Sequence, residues 1–407
     1  MSAWVESEAD ALVRKCLDDH RSFAMIAGAG AGKTSSLVDA LRRVRDLEGR
    51  FLKKHGQRIA CITFTKRAVE VIKARLGFDD LYLVSTLHGF LWGQISHFHE
   101  DIREVLRESR VPALIERARE DDNGGQSKKA KKAREKIERL TEQLAALELV
   151  EKFGYSDTNF SDYEKGQIGH DDVIEIATYL LANNHTFRRI IGLRFPYIFV
   201  DEAQDTFDGI VSGLNLVCAG AGLPLVGYFG DPWQQIYDRS AGDFVPPDDG
   251  EIIKKSENFR CSKSVIRLLN KYRRDVEQYA AGKNSACEGS VEFLLIQAED
   301  PSEPRRRYSE DQIKRALARM DAAVADWGWA ERKDVVRLFL ARQMIARRLG
   351  FSDLNRLFTG EYASSRAQDA FEEGEHFLIK PFLSTICPLI NAQARDDDRA
   401  VINILRR

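Results

Sequence analysis

The chain has 407 residues, of which 43% are hydrophobic, and this length is typical of two or three domains with substantial cores. Its formal net charge of -2 excludes a basic surface over the whole protein, so any nucleic-acid site must be a local groove. Its six scattered cysteines form no metal-binding pattern, so neither a zinc nor an iron–sulfur site is indicated, and scattered free thiols are typical of a reducing cytosol.

The N-terminal segment is charged from its start, and no long charge-free apolar run follows it. This pattern predicts a protein that is neither exported nor membrane-bound and that lies in the cytoplasm. Residues 1–20 predict a helix ahead of the first strand.

An apolar strand, a glycine loop and a helix follow one another between Phe23 and Ser36. The run 23–27 predicts a buried parallel strand, and three alternating glycines then lead into Lys33, Thr34 and an amphipathic helix. Such a loop cradles phosphates with its N–H groups, while the lysine reaches the outer phosphates and the threonine can ligate Mg2+. The predicted nucleotide contacts are Ala27, Gly28, Ala29, Gly30, Ala31, Gly32, Lys33, Thr34 and Ser35.

This loop has two other interpretations besides the phosphate cradle. A dinucleotide-binding fingerprint is excluded, because its last glycine would fall at Lys33. A flexible alanine–glycine loop between a strand and a helix is the remaining alternative. Position 27 is alanine where the strict phosphate-loop pattern has glycine, but the Gly-Lys-Thr sequence and both flanking elements are in place.

Strands and helices continue to alternate after the phosphate loop. An apolar strand at 59–64 precedes a helix at 66–76, and a short strand at 81–84 runs through 85–90 into another helix. This order predicts an α/β fold with a parallel, doubly wound sheet.

The alternation breaks at about residue 103, where a highly charged helical segment begins and continues to about 150. A loop at 121–125 and a lysine-rich run at 128–132 precede a narrow apolar stripe, which predicts a helical hairpin inserted into the sheet domain. The lysines are either a solvated helix face or an arm that contacts phosphates beside a nucleic-acid channel. Downstream, Asp171 and Asp172 predict the start of a helix, and His170 is interpreted as a loop residue rather than a ligand.

Two acids follow the next apolar strand, 195–200. Asp201 and Glu202 come at the carboxyl end of this strand, where open α/β sheets bind ligands. In a phosphate-loop fold the first acid, together with Thr34, would hold Mg2+, and the second would accept a proton from the water that attacks the terminal phosphate. A polar turn after a strand is the alternative for the acids alone.

Two further segments carry candidate nucleotide contacts. A strand at 225–229 is followed by Gln234, whose amide at a strand end is suited to sensing the terminal phosphate. Phe259 offers a ring for adenine stacking, and Arg260 offers a charge for the same phosphate. With Lys33 and the two acids, Gln234 and Arg260 complete the predicted catalytic set.

Six ordered motifs between about residues 20 and 275 resemble the UvrD/Rep-like branch (superfamily 1A) of DNA helicases. They are Ala27–Thr34 (motif I), Thr63–Thr65 with Ala68 (Ia), Ser85–His88 with Phe90 (Ib), Val200–Asp205 (II), Gly230–Tyr237 (III) and Asn258–Arg260 (IV).

The resemblance implies a P-loop NTPase with two RecA-like lobes, each carrying a helical insertion. The first lobe would span 1–102 and 151–280, around an insertion at 103–150, whose approximate extent includes an end as late as about 190. The second lobe would start at 281–350, with a predicted strand at 335–340 and a helix at 342–349, and its incomplete helical insertion would span 351–407. The implied cofactors are ATP and Mg2+, and the implied DNA contacts are Thr63, Phe64, Thr65, His88, Tyr237 and Arg239.

The chain also departs from this family pattern. It lacks the usual Asn-Pro-x-Gln stretch before Ser22, and Arg239 stands where a base-stacking tryptophan is common. Motifs V and VI are not found, so the arginine that the second lobe normally contributes to the transition state is unaccounted for. We therefore expect the chain to be part of a longer helicase.

Two function classes remain open at the level of sequence. The first is a helicase that hydrolyses ATP to move 3′ to 5′ on single-stranded DNA and unwind duplex junctions, in repair, recombination or defence. The second is an ATP-gated module that binds single-stranded DNA, regulates another protein and has little motor activity. A protein partner or nuclease subunit is compatible with both classes, and neither involves a membrane.

Overall fold

The computed structural model describes residues 7–236, 242, 244–247, 249–303, 308–359, 367, 370–371, 374 and 376–405. The chain divides into two compact units, Met1–Ser290 and Val291–Arg407. This division lies slightly later than the predicted boundary at residue 280. No helix in the described ranges is long and apolar enough to cross a bilayer.

A six-stranded, wholly parallel sheet forms the centre of the first unit, with the strand order β3-β2-β6-β7-β1-β8. Two smaller parallel pairs, β4 with β5 and β9 with β10, lie outside it. The strands are β1 (Phe23–Ala27), β2 (Ile59–Thr63), β3 (Tyr82–Thr86), β4 (Gly154–Tyr155), β5 (Gln167–Ile168), β6 (Tyr197–Asp201), β7 (Leu225–Gly230), β8 (Glu251–Lys255), β9 (Glu257–Asn258) and β10 (Tyr279–Ala280).

Helices cover both faces of the large sheet. In the first unit they are α1 (Glu8–Asp18), α2 (Lys33–Lys54), α3 (Lys66–Arg75), α4 (Leu87–Ile95), α5 (His99–Val105), α6 (Val111–Asp121), α7 (Lys128–Ala146), α8 (His170–Asn183), α9 (His185–Arg194), α10 (Asp208–Val217) and α11 (Lys263–Tyr272). Helices α1, α2 and α3 pack on one face and share a core with Phe23 and Phe199. Helices α4 to α10 pack on the opposite face around Ile198 and Val200. The predicted doubly wound α/β fold is therefore confirmed.

The predicted helical hairpin consists of α6 and α7. A short π-helical stretch, Leu106–Arg110, joins α5 to α6. On α7 and just after it, Leu140 and Leu147 are buried, and Ile137 and Leu144 pack partly against the same core as α8. The apolar stripe thus fixes α7 against the sheet unit and leaves the lysines of the 128–132 run exposed.

The regular elements described in the second unit are helices, joined by stretches such as 291–302 without regular structure. These helices are α12 (Glu310–Asp326), α13 (Arg342–Leu349), α14 (Ser352–Thr359), α15 (Cys387–Gln393) and α16 (Asp398–Leu405). Helix α13 has the predicted bounds, but the predicted strand at 335–340 is wrong. A strand requires a hydrogen-bonded neighbour, and no described segment of this unit pairs with 335–340, where Leu338 is 90% exposed.

A buried ion pair ties the N-terminal helix to the sheet beside the phosphate loop. Lys255, at the end of β8, donates to Asp10 of α1 over 2.6 Å and to Ser36 of α2 over 3.0 Å. Ser36 in turn donates to Asp10 over 2.6 Å. Burial alone would raise the pKa of Asp10, but the bonds from Lys255, Ser36 and Ser7 outweigh it and lower that pKa. The network joins three elements through two side chains that are almost fully buried.

Replacing Asp10 by asparagine is expected to lower the free energy of unfolding by about 3–5 kcal/mol, because the ammonium of Lys255 would remain buried without a carboxylate. Urea unfolding near pH 7 measures this change. Since folding lowers the pKa of Asp10, the stabilisation is present above the unfolded pKa of about 3.9 and is lost as pH falls through the folded value.

The half-exposed pair of Arg14 and Asp39 provides the control for this measurement. Asp39→Asn is expected to cost less than about 1 kcal/mol, because solvent screens that pair. Equal losses of unfolding free energy in Asp10→Asn and Asp39→Asn would contradict the stabilising role of the buried pair of Asp10 and Lys255.

Candidate active site

Parallel pairing brings the carboxyl ends of the strands to one edge of the sheet. At this edge β1 leads into the loop Gly28–Gly32, β2 ends at Thr63, β6 ends at Asp201, and β7 leads to Asp231. Segments that are far apart in the sequence therefore converge, as predicted from the alternation of strands and helices.

The glycine loop is held from behind by the segment around Asn258. The carbonyl oxygen of Ala29 accepts from the Asn258 amide over 2.8 Å, and that of Gly30 accepts from the Phe259 N–H over 2.9 Å. Gly30 has a φ of 82°, which favours glycine, and an added Cβ would lie 2.6 Å from Asn258 Oδ1. Gly32 is the N-cap of α2 and has no side chain to accept from the first N–H groups of the helix. These N–H groups are therefore suited to binding an anion.

Lys33 and Glu202 form an ion pair across the site. Their Nζ and Oε2 atoms lie 2.8 Å apart, and the side chain of Lys33 is only 10% exposed. Burial would raise the pKa of Glu202, but the charge of Lys33 and bonds from Gln204 and Lys33 outweigh it and lower that pKa. Glu202 also has a φ of 49°, a strained backbone conformation that is common at functional sites. The predicted lysine and the predicted base are therefore in direct contact.

Asp201 has a carboxylate oxygen suited to a cation. Its Oδ2 accepts from the Thr63 hydroxyl over 3.3 Å, and its buried Oδ1 has no hydrogen-bond partner among the described residues. Burial, and then the charge of Glu202, raises the pKa of Asp201 to about 6. A bound divalent cation would offset both causes, because its positive charge stabilises the carboxylate form of Asp201. Mg2+ also prefers oxygen ligands. Asp201 and Thr34, which line the same cleft, thus fit the predicted magnesium site.

An amide relay connects the acids to the turn after β7. Gln204 donates to Glu202 over 2.9 Å and accepts from the Asp231 N–H over 3.0 Å. The carboxylate of Asp231 in turn accepts from Gln234 over 2.5 Å. Of these three residues only Gln234 has a role predicted from the sequence, although Gln204 and Asp231 lie in the motifs on which the resemblance rests. Through this relay, Gln234 is linked to the predicted base.

Phe259 and Arg260, which are predicted nucleotide contacts, lie beside the phosphate loop. A Cβ added to Gly32 would lie 3.8 Å from the Phe259 ring, and one added to Gly30 would lie 2.9 Å from Arg260 Cβ. Phe259 is 38% exposed, which leaves part of its ring accessible to the adenine of a nucleotide. The roles predicted for these two residues remain predictions.

The acids share a cleft of about 300 Å3 with the segment that follows β2. Thr34, Asp201 and Glu202, the residues predicted to act on the nucleotide or its cation, line it. The other lining residues, at the end of β2 and after it, are Thr63, Phe64, Thr65, Arg67, Ala68, Val71 and Ile72. Thr63 itself is buried and turned toward Asp201, whereas Phe64 is half-buried and Thr65 is exposed. Of the three predicted DNA contacts in this segment, only Phe64 and Thr65 are accessible.

His88 belongs to an aromatic cluster that sequence reasoning missed. Its ring centroid lies 4.7 Å from that of His170, which is the first residue of α8 rather than a loop residue, and His170 is hydrogen-bonded to the Tyr155 hydroxyl. Burial, and then the charge of His170, lowers the pKa of His88 to about 4, so the ring is neutral near pH 7. The other two predicted DNA contacts, Tyr237 and Arg239, lie outside the described residues.

Comparisons with known proteins extend these observations. A family model described as the UvrD/REP helicase N-terminal domain matches residues 11–243. Gabija protein GajB of Bacillus cereus strain HuB5-5 is 26% identical over 86% of this chain and 59% of its own length. The ATP-dependent DNA helicase Rep of Buchnera aphidicola is 25% identical over 61% of this chain and 41% of its own length.

A second Gabija protein GajB, from Bacillus cereus strain VD045, is 22% identical over 66% of this chain and 50% of its own length. The chain thus spans roughly half the length of the curated relatives it matches. Among solved structures, the Pif1 helicase of Candida albicans aligns with 86% of this chain and 61% of its own, at 17% identity and a TM-score of 0.33.

Proposed function

Because the chain belongs to the UvrD/Rep helicase family, we propose that it hydrolyses ATP with Mg2+ to move along single-stranded DNA and unwind duplex junctions. The name of the relative Rep, an ATP-dependent DNA helicase, supports both the nucleotide and the DNA. The direction we propose is 3′ to 5′, and the setting is DNA repair, recombination or defence. A cytoplasmic location is supported by six cysteines that form no disulfide.

One observation supports this proposal above the others. The acids of the proposed nucleotide site and the side chains that follow β2 line the same cleft. Thr63 joins these two groups, because its hydroxyl donates to Asp201 and its backbone continues into Phe64. A change around the terminal phosphate can therefore reach the proposed DNA contacts through a single residue.

The ion pair between Lys33 and Glu202 indicates how nucleotide binding would activate Glu202 as a base. A bound triphosphate would compete with Glu202 for the ammonium of Lys33. Since Lys33 lowers the pKa of Glu202, its movement to the phosphate would raise that pKa and make the carboxylate a stronger base toward an attacking water. Mg2+, held at Asp201 and Thr34, would neutralise charge that develops on the phosphate oxygens.

The alternative is an ATP-gated module that binds single-stranded DNA and regulates a protein partner or nuclease subunit. The second unit favours it, because its described regular elements are helices and include none of the parallel strands that a second RecA-like lobe would contain. Strand displacement separates the two functions. The helicase should unwind a duplex with a 3′ single-stranded tail and not one with a 5′ tail, whereas the module should bind both and unwind neither.

Replacing Phe64 by alanine is expected to weaken binding of oligo-dT by roughly 5- to 100-fold, because stacking contributes about 1–3 kcal/mol per base. Fluorescence anisotropy with labelled oligo-dT measures the change, and nucleotide affinity should remain within about twofold. The control is Phe78→Ala, since Phe78 is 74% exposed just beyond the opposite end of α3. Equal DNA affinity for the two variants would contradict the proposed DNA contact.

A further inference from the structure

A buried amide lies against the first glycine of the phosphate loop. Gln278 is 3% exposed, and a Cβ added to Gly28 would lie 2.5 Å from Gln278 Nε2. Within the described part of the chain, this nitrogen has no hydrogen-bond acceptor. A buried donor without an acceptor is destabilising, so its retention beside a ligand-binding loop calls for an explanation.

The orientation of this amide is fixed by its neighbours. Gln278 Oε1 accepts from the Asn258 amide over 3.3 Å, which leaves Nε2 on the side of the loop. The side chain of Asn270, on α11, accepts from the backbone N–H of Gln278 over 3.0 Å and donates to the backbone carbonyl oxygen of Gln278 over 2.7 Å. Pairing of β10 with β9 directly after Gln278 anchors the segment further. The donor is therefore held in place before any nucleotide binds.

A neighbouring arginine identifies which part of a nucleotide this donor would meet. Arg273 Nη1 would lie 2.9 Å from the same Cβ on Gly28, and it donates to Asp231 over 2.8 Å. Asp231 also holds Gln234, the predicted phosphate sensor. Phe259, the predicted adenine contact, instead lies beside Gly32 at the other end of the loop. Gln278 thus lies at the terminal-phosphate end of the site.

The charge of Arg273 is already balanced at this position. Its guanidinium donates to Asp231 and twice to Asp275, at 2.8, 3.1 and 2.9 Å. Among the described residues, the side-chain N–H of Gln278, at Nε2, still lacks an acceptor beside Gly28. Arg273 is accordingly a positioning residue. It binds the carboxylate of Asp231, which also holds Gln234, and it lies beside Gly28 next to Gln278.

We propose that Gln278 donates this N–H to the terminal phosphate of a bound nucleoside triphosphate and acts as a second amide sensor beside Gln234. This inference rests on the proposed function only as far as nucleotide binding. It predicts that Gln278 distinguishes a triphosphate from a diphosphate, because the diphosphate lacks the group that the amide would meet.

The test is isothermal titration calorimetry of the full chain with Mg2+ and either ADP or adenylyl imidodiphosphate, a non-hydrolysable triphosphate. Gln278→Met, which removes the donor at similar volume, should weaken the triphosphate roughly tenfold or more and ADP less than about twofold. Gln278→Glu should weaken the triphosphate further, because a carboxylate would face the phosphate. Melting temperatures establish that each variant is folded.

Gln94→Met is the matched control, because Gln94 is another buried amide of the same unit, bonded to Phe90 and Arg194 away from the loop. It should leave the ratio of the two affinities unchanged. Equal weakening of both nucleotides by Gln278→Met, or no weakening, would overturn the inference while leaving the proposed function intact. If the native chain binds neither nucleotide, both the inference and the proposed function fail.

Discussion

Replacing Glu202 by glutamine is expected to slow ATP turnover by roughly 10^2- to 10^4-fold, because the variant lacks the carboxylate that would accept a proton from the attacking water. Nucleotide binding should be retained, since glutamine has nearly the same shape and can still accept a bond from Lys33. Steady-state phosphate release measures turnover, and calorimetry with Mg2+ and adenylyl imidodiphosphate measures binding.

The matched control for this variant is Glu148→Gln. Glu148 lies just after the end of α7, and its exposed carboxylate pairs with Arg107. Glu148→Gln should leave turnover within about twofold, because solvent screens such a pair. Undiminished turnover in Glu202→Gln would remove Glu202 from the reaction. A loss of turnover that arises wholly from lost nucleotide binding would assign it to binding instead.

Replacing Lys33 by alanine is expected to reduce turnover by roughly 10^2- to 10^3-fold, which is typical for the loss of one group that stabilises transition-state charge. It should also weaken triphosphate binding by roughly 10- to 100-fold, because a hydrogen bond to a charged phosphate is lost. Turnover at saturating ATP separates the first effect from the second.

Lys33→Ala has a second consequence that a simple loss of binding would not produce. Without the ammonium that lowers it, the pKa of Glu202 should rise, and it can be followed by NMR titration of labelled glutamate. Lys54→Ala, at the other end of α2, is the control and should change neither turnover nor that pKa. An unchanged Glu202 pKa in Lys33→Ala would contradict the ion pair seen across the site.

The sequence was most informative where the signal is local. The strand, glycine loop and helix around Lys33 follow one another directly, and the apolar strand before Asp201 is fully buried, so their types and order could be predicted. Helix α13 has its predicted bounds, and its C-cap is Gly350, whose φ of 79° favours glycine. Convergence of the loop and the acids then followed from the parallel sheet.

The contacts that sequence reasoning missed are made between distant segments. Gln278 reaches Gly28 only because β10 pairs with β9, and His170 reaches His88 only because α8 packs on α4. No spacing within one element indicates either contact. The strand predicted at 335–340 illustrates the opposite error, since an apolar run has strand propensity but forms a strand only beside a neighbour.

The proposed motor requires that DNA and the nucleotide site affect one another. The most direct test is ATP turnover by the full chain with and without saturating single-stranded DNA, with Glu202→Gln as the inactive reference. A helicase motor should show turnover that rises at least about tenfold with DNA and is abolished by Glu202→Gln. Turnover that does not respond to DNA, or that persists in Glu202→Gln, would contradict it.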